Sequence, residues 1–205
     1  MHTILVVDDH RAVADVFVEM LEHGGYRTFA AYGGEEGLET LKTVTPDLIL
    51  LDIMMEPRDG WEVLETIKKD AATASTPVLM LTSKQLTPAE MEKYGDAIED
   101  YVLKPVTDFE LFSAIEHVLQ RRQAIRSNVD RATREGIDSE IIREYALLVR
   151  SIDINKRFLN IFETRYNLNN SFSTSNDSIG QALKNLDATI RVQKTRLQEI
   201  EARIR

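Results

Sequence analysis

Four short, nearly unbroken apolar runs mark the first half of the chain, and each ends in a polar group. Ile4-Leu5-Val6-Val7 ends in Asp8-Asp9, and Leu48-Ile49-Leu50-Leu51 in Asp52. Val78-Leu79-Met80-Leu81 ends in Thr82, and Tyr101-Val102-Leu103 in Lys104-Pro105. Runs without polar alternation predict parallel strands covered on both faces. Strands are expected over 3–7, 26–31, 47–51, 77–81 and 99–103, with helices in the gaps. Asp59 with Glu62, Thr87 with Glu90, and Thr107 with Glu110 have capping-box spacing, and Gly24-Gly25 closes a helix over 10–23. A helix from Thr107 would place Phe109, Phe112, Ile115, Val118 and Leu119 on one face. Five βα units over residues 1–122 predict an α/β domain with a doubly wound parallel sheet.

The pattern then changes. Residues 123–137 lose periodicity and are expected to form a linker or a helix extension. Beyond them, Ile141, Tyr145, Leu148, Ile152, Asn155, Leu159, Phe162 and Tyr166 recur at steps of four and three. So do Ile179, Leu183, Leu186, Ile190, Gln193, Leu197, Ile200 and Ile204. Two heptad seams joined by a polar connector, Asn167 to Asp177, predict an all-α antiparallel helical hairpin over 138–205. In it Ile141 would face Ile204, and Tyr166 would face Ile179. Asp138 caps the first helix, with Ile137 and Ile142 at staple spacing, and Ser178 with Gln181 starts the second. The first helix carries a second stripe, Leu147, Ile154, Phe158, Ile161 and Leu168, which calls for a further partner: a second copy in a four-helix bundle, or a helix of the first domain. Asn155 and Gln193 fall on the seam as a polar pair able to fix register.

Charge separates the halves further. Residues 1–122 hold 11 Lys/Arg against 23 Asp/Glu and residues 123–205 hold 14 against 11, balances of −12 and +3 within a total of −9. The acidic half is unsuited to nucleic acid; the tail permits DNA without demanding it. There is no cysteine, so neither disulfides nor thiolate chemistry enter. No segment has the length and apolarity of a membrane span, and the start lacks a signal peptide's features, so a cytoplasmic protein is expected.

At the carboxyl edge of one parallel sheet, where ligands bind in such folds, the strand ends would gather Asp8, Asp9, Asp52, Thr82 and Lys104. Clustered carboxylates repel one another and favour a hard divalent cation such as Mg²⁺. A carboxylate can accept a phosphoryl group as an acyl phosphate, an ammonium can meet a phosphate oxygen, and a hydroxyl can swing towards the product. Singly, each of these residues reads as a turn former, a cap or a solvated side chain; together they describe a site for a cation and a phosphoryl group.

The combined motifs resemble the receiver domain of two-component response regulators: Asp8-Asp9, Asp52, Asp59-Gly60, Thr82, and Tyr101-Val102-Leu103-Lys104-Pro105. The resemblance spans residues 1–122 and implies flavodoxin-like strand order 2-1-3-4-5. It implies Asp52 as phosphoacceptor, with Asp8, Asp9, Asp52 and the Met54 main-chain carbonyl holding Mg²⁺. It further implies Thr82 and Tyr101 as the switch pair, Lys104 as the phosphate contact, and a cis peptide at Pro105. Glu56 stands where the family commonly has proline, with Pro57 after it. Ser83 replaces a small apolar residue, and Ala97-Ile98 replaces Gly-Ala. Glu56 and Ser83 bear on phosphoryl lifetime.

The implied protein is no enzyme in its own right. It takes phosphate from a sensor histidine kinase and signals through residues 138–205, as a homodimer or with a partner protein. A DNA-binding transcription regulator acting through the basic tail and a non-signalling scaffold are the alternatives. An aspartate-nucleophile phosphatase needs a second acid two residues after the first, where His10 stands. The tail contains no histidine for phosphotransfer and no compact three-helix unit for DNA reading.

Overall fold

The computed structural model describes residues 1–166 and 178–204. The connector 167–177 and Leu168 lie outside the described residues. So do the side-chain partners expected of Tyr166, Ile179 and Ile204, and the Ser178 cap. Among the described residues, no helix is long and apolar enough to cross a membrane.

Strands β1 (Thr3–Val7), β2 (Arg27–Ala31), β3 (Leu48–Leu51), β4 (Val78–Thr82) and β5 (Asp100–Leu103) form a parallel sheet in the order β2-β1-β3-β4-β5. Between them run α1 (Arg11–His23), α2 (Gly34–Thr40), α3 (Gly60–Lys69) and α4 (Pro88–Tyr94), and α5 (Asp108–Arg134) follows. Every residue of β3 and β4 is buried, which explains their unbroken apolar runs: helices cover both faces. Ile4, Val6, Leu48, Leu50, Leu79 and Leu81 pack with Phe17 and Leu21 of α1 and with Leu111, Ala114, Ile115 and Val118 of α5. The opposite pleat faces the other layer, where a β-carbon built on Gly37 of α2 would touch Val7.

Local signals act as read. Asp59 Oδ1 accepts from the Glu62 amide at 2.9 Å; Thr107 N–H donates to Glu110 at 2.9 Å; Asp138 Oδ1 accepts from the Glu140 amide at 2.8 Å. Gly25, at φ 82°, takes the left-handed conformation that ends α1. One expectation is corrected. Phe109 is 81% exposed: it precedes Leu111 by two residues, about 200° of helix rotation, so it points away from the buried stripe. Phe112 is half-buried at the edge and stacks on Tyr26.

The described chain divides into two compact units. One is Met1–Thr87 with Asp96–Leu119; the other joins Pro88–Gly95 to the described residues from Gln120 onward. The second unit contains α6 (Ser139–Tyr166) and α7 (Ser178–Ile204), but it is more than a hairpin. Residues 123–134 are helix, continuing α5, and Gly136 at φ 75° turns the chain into α6. Ala132 joins Ile142, Tyr145 and Ile200 in a common core, with Val129, Ile137 and Leu197 packed around it. Asn128 donates to the Tyr145 hydroxyl at 2.8 Å, and Arg121 pairs with Asp153.

Helices α6 and α7 run antiparallel, since Ile142 meets Ile200 while Ser151 meets Gln193. Seam residues Tyr145, Ile152 and Phe162 are buried, as are Leu183, Leu186, Ile190 and Ile200. Of the second stripe, Ile154 and Phe158 are buried and Leu147 is exposed.

Glu144 accepts two bonds from Arg196, at 2.6 and 2.8 Å, and this guanidinium holds the Glu144 carboxyl below its ordinary value of 4.5. The folded state therefore binds fewer protons than the unfolded chain. The pair's contribution is fully present above about pH 4.5 and is lost as pH falls through the lowered folded value. Glu144→Gln should give a shallower loss of α6–α7 stability than wild type below that pH, measured by urea titration at successive pH values. An unchanged acid arm would refute it.

Candidate phosphoacceptor site

The sheet order sets the carboxyl ends of β1, β3, β4 and β5 side by side, beside the point where the chain reverses direction of winding. Asp8 and Asp52 are almost wholly buried there, at 2% and 6% exposure. The Lys104 ammonium bridges them: it bonds Asp8 Oδ2, and it lies 2.9 Å from Asp52 Oδ2. The remaining carboxylate oxygens are held by main chain, since Asp8 Oδ1 accepts from the His10 amide at 2.9 Å and Asp52 Oδ1 from the Met54 amide at 3.1 Å. Buried carboxylates require this kind of pairing.

Asp9 is more open. His10 Nδ1 lies 2.9 Å from its Oδ1, and the Glu56 amide donates to its Oδ2 at 3.1 Å. Glu56 thus supplies an N–H that a proline at this position could not, and the Glu56–Pro57 peptide is cis, as is Lys104–Pro105. Asp8, Asp9 and His10 bring ligand atoms within 4.8 Å of one another. Three carboxylates at one sheet edge form an all-oxygen donor set that suits a hard divalent cation.

Thr82 is fully buried at the end of β4, and its Oγ1 accepts from the Lys84 amide at 3.2 Å. Tyr101, 3% exposed, donates its hydroxyl proton to the Lys84 carbonyl. Both members of the expected switch pair therefore bond the same residue. Away from the site, Asn155 Nδ2 donates to Gln193 Oε1 at 3.3 Å across the seam, and Ser151 Oγ accepts from Gln193 at 2.9 Å.

Three features escaped the sequence reading. A β-carbon on Gly60 would lie 2.0 Å from the Asp52 carbonyl oxygen, so the start of α3 presses on the acceptor's own main chain. Phe17 lies beneath the Lys104 ammonium, 5.7 Å from its ring centre. The Glu144–Arg196 pair also went unread, although its charges stand on predicted helices; an exposed heptad flank offers many such pairings.

Comparison with known proteins follows the same division. Residues 121–205 match the family described as Metanogen output domain 2. The DNA-binding dual master transcriptional regulator RpaA of Synechocystis is 32% identical over 144 residues, covering 70% of this chain and 57% of that relative. The chain thus spans a little over half the length of the curated relatives it matches. The crystal structure of the N-terminal domain of a response regulator receiver protein from Methanoculleus marisnigri is 63% identical, covering 58% of this chain and 97% of that one, with a TM-score of 0.50. The chemotaxis protein CheY4 of Vibrio cholerae is 25% identical with a TM-score of 0.55, covering 58% and 99%. The response regulator receiver domain family itself matches residues 4–116, more than half of the chain and the whole of the acidic strand-end cluster, and the protein belongs to that family.

Proposed function

We propose that this protein is the phosphoacceptor of a phosphorelay: Asp52 takes a phosphoryl group from a histidine kinase, with Mg²⁺, and the helical unit carries the output. The observation that carries this reading is the Lys104 ammonium shared by Asp8 and Asp52 with Asp9 beside them. An oxygen of Asp52 attacks phosphorus while the bond to the donor's nitrogen breaks. Lys104 turns from Asp52 to an incoming phosphoryl oxygen, which keeps its charge satisfied at both stages. Asp8, Asp9, Asp52 and the Met54 carbonyl are the residues that would hold Mg²⁺. Bound there, the ion would supply positive charge to offset the carboxylates and the charge of the phosphoryl group. Thr82 then gives its hydroxyl to the phosphoryl group, and Tyr101 follows the change at Lys84.

On this reading residues 1–122 are the receiver, 123–137 extend its last helix, and 138–205 are an interaction module that dimerises or binds a partner protein. The protein acts in the cytoplasm and turns over no substrate beyond its own phosphorylation and dephosphorylation.

Acetyl phosphate with Mg²⁺ should add one phosphoryl group to the intact protein by mass spectrometry. Chelation should prevent it, and Asp52→Asn should abolish it. Persistence in Asp52→Asn defeats the reading.

A second reading, transcription control through DNA, draws on the relative named a DNA-binding regulator and on the basic balance of the tail. A steeply salt-dependent mobility shift supports it; no shift at low salt removes it.

A further inference from the structure

His10 stands at the N-cap of α1, yet its side chain makes no cap bond there. Serine, threonine, asparagine and aspartate are the residues that cap well, so the imidazole gives up a bond that a shorter side chain would make. Its ring turns to the carboxylates instead. Nδ1 lies 2.9 Å from Asp9 Oδ1 and 3.9 Å from Asp8 Oδ1, and the His10 amide fixes the backbone by donating to that same Asp8 oxygen at 2.9 Å. Two ligand atoms on one first-row ion, each about 2.1 Å from it, stand about 3 Å apart when adjacent and about 4.2 Å apart when opposite. The separations from Nδ1 match that range, so the ring and both acids can meet at one ion with small movements.

The bonds of Asp9 show which contact would open. Its Oδ2 is held by the main-chain amide of Glu56, whereas its Oδ1 is held by the His10 side chain, which is 74% exposed and has room to turn. A cation that takes Oδ1 leaves Nδ1 beside it, and Nδ1 offers a lone pair when the ring proton sits on Nε2. Granted the phosphoacceptor reading and its cation site, on which this rests, we propose that His10 Nδ1 is a further metal ligand and turns the site towards nitrogen-favouring first-row cations such as Co²⁺, Ni²⁺ and Zn²⁺. Mg²⁺ keeps oxygen ligands and several waters, and an imidazole does not readily replace one of them. Softer divalent ions accept that exchange, and their affinity for a mixed nitrogen and oxygen set exceeds that of the ions preceding them in the first-row series. Mg²⁺ is then held by oxygens alone, and the ring adds affinity for the others.

The test is calorimetric titration of the full chain with Co²⁺ and, separately, with Mg²⁺, in wild type and in His10→Ser. The variant removes the nitrogen and supplies a good helix cap, so a folding defect does not confuse the result. Its ratio of Co²⁺ to Mg²⁺ affinity should fall at least about tenfold, the lower end of what even a group that only orients a metal ligand contributes. X-ray absorption at the cobalt edge supplies a check that needs no affinity: the wild type should show the scattering of one imidazole ring, and His10→Ser should show none. An unchanged ratio, or an all-oxygen cobalt shell in the wild type, overturns the proposal; the ring then only bonds Asp9, and the phosphoacceptor reading stands. Failure of the wild type to bind either cation, or binding that Asp9→Asn does not weaken, overturns the cation site of that reading, and the ligand role of His10 with it.

Discussion

Lys104→Met should cost about 3–5 kcal/mol of stability in the presence of a chelator, the range seen when one partner of a buried ion pair is removed. The variant keeps most of the stem over Phe17 but takes the ammonium from two carboxylates that are 2% and 6% exposed. Asp8 and Asp52 would then face each other with amide donors alone, and two like charges in a poorly solvated site repel each other. Two further results follow from the same cause. Excess Mg²⁺ should recover much of the loss, because a cation held by Asp8, Asp9 and Asp52 replaces the missing charge and binds only the folded state. Adding Asp52→Asn should also recover part of it, because one of the opposed charges is gone. Urea titrations of the four proteins (wild type, each single variant and the double), with and without Mg²⁺, measure all three. A Lys104→Met protein as stable as wild type under chelation would show that the ammonium is not what keeps the two acids in place.

The sheet was legible because its code is redundant. Four of the five strands carry apolar runs whose ends are marked by a polar group, and helix caps such as Asp59 and Thr107 delimit what lies between. The strand-end residues were legible as a set because the fold brings together groups that share no local pattern, and their joint chemistry is specific. What failed were features that depend on three-dimensional neighbours. Phe109 looked like core from its composition, but two residues of helix rotation turn it outward. Residues 123–134, expected as a linker or a helix extension, form the extension, on a stripe thinned to Val129 and Ala132 among polar residues. Ala132 is nonetheless 1% exposed, since small residues suffice where three helices converge. Of the second stripe of α6, Ile154 and Phe158 are buried while Leu147 is exposed, and the neighbour of Phe158 at Gly95 has no side chain and so leaves no hydrophobic signal.

Gly60→Ala should be the most damaging of the glycine-to-alanine changes in the receiver; Asp59-Gly60 belongs to the receiver resemblance, but the close seating of α3 behind it leaves no mark in the sequence. The added β-carbon would sit 2.0 Å from the Asp52 carbonyl oxygen, 2.8 Å from Ile53 Cα and 2.9 Å from the Asp52 carbonyl carbon. These are main-chain atoms, and no side-chain rotation relieves the overlap. Either α3 backs away from the end of β3, breaking the 2.9 Å bond from the Gly60 amide to the Ile53 carbonyl, or Asp52 itself is displaced. Overpacking costs about 1–3 kcal/mol, occasionally more, and an overlap with main-chain atoms belongs at the upper end of that range. The comparison that isolates the cause is Gly136→Ala, where a β-carbon meets nothing within 4 Å and only the φ of 75° resists it. That strain amounts to about 1–2 kcal/mol. Gly60→Ala should therefore lose at least as much stability as Gly136→Ala and, unlike it, should slow phosphoryl uptake from acetyl phosphate in whatever fraction remains folded. Equal uptake by the two variants would mean that the main chain of Asp52 tolerates displacement, and that the close seating of α3 serves stability alone.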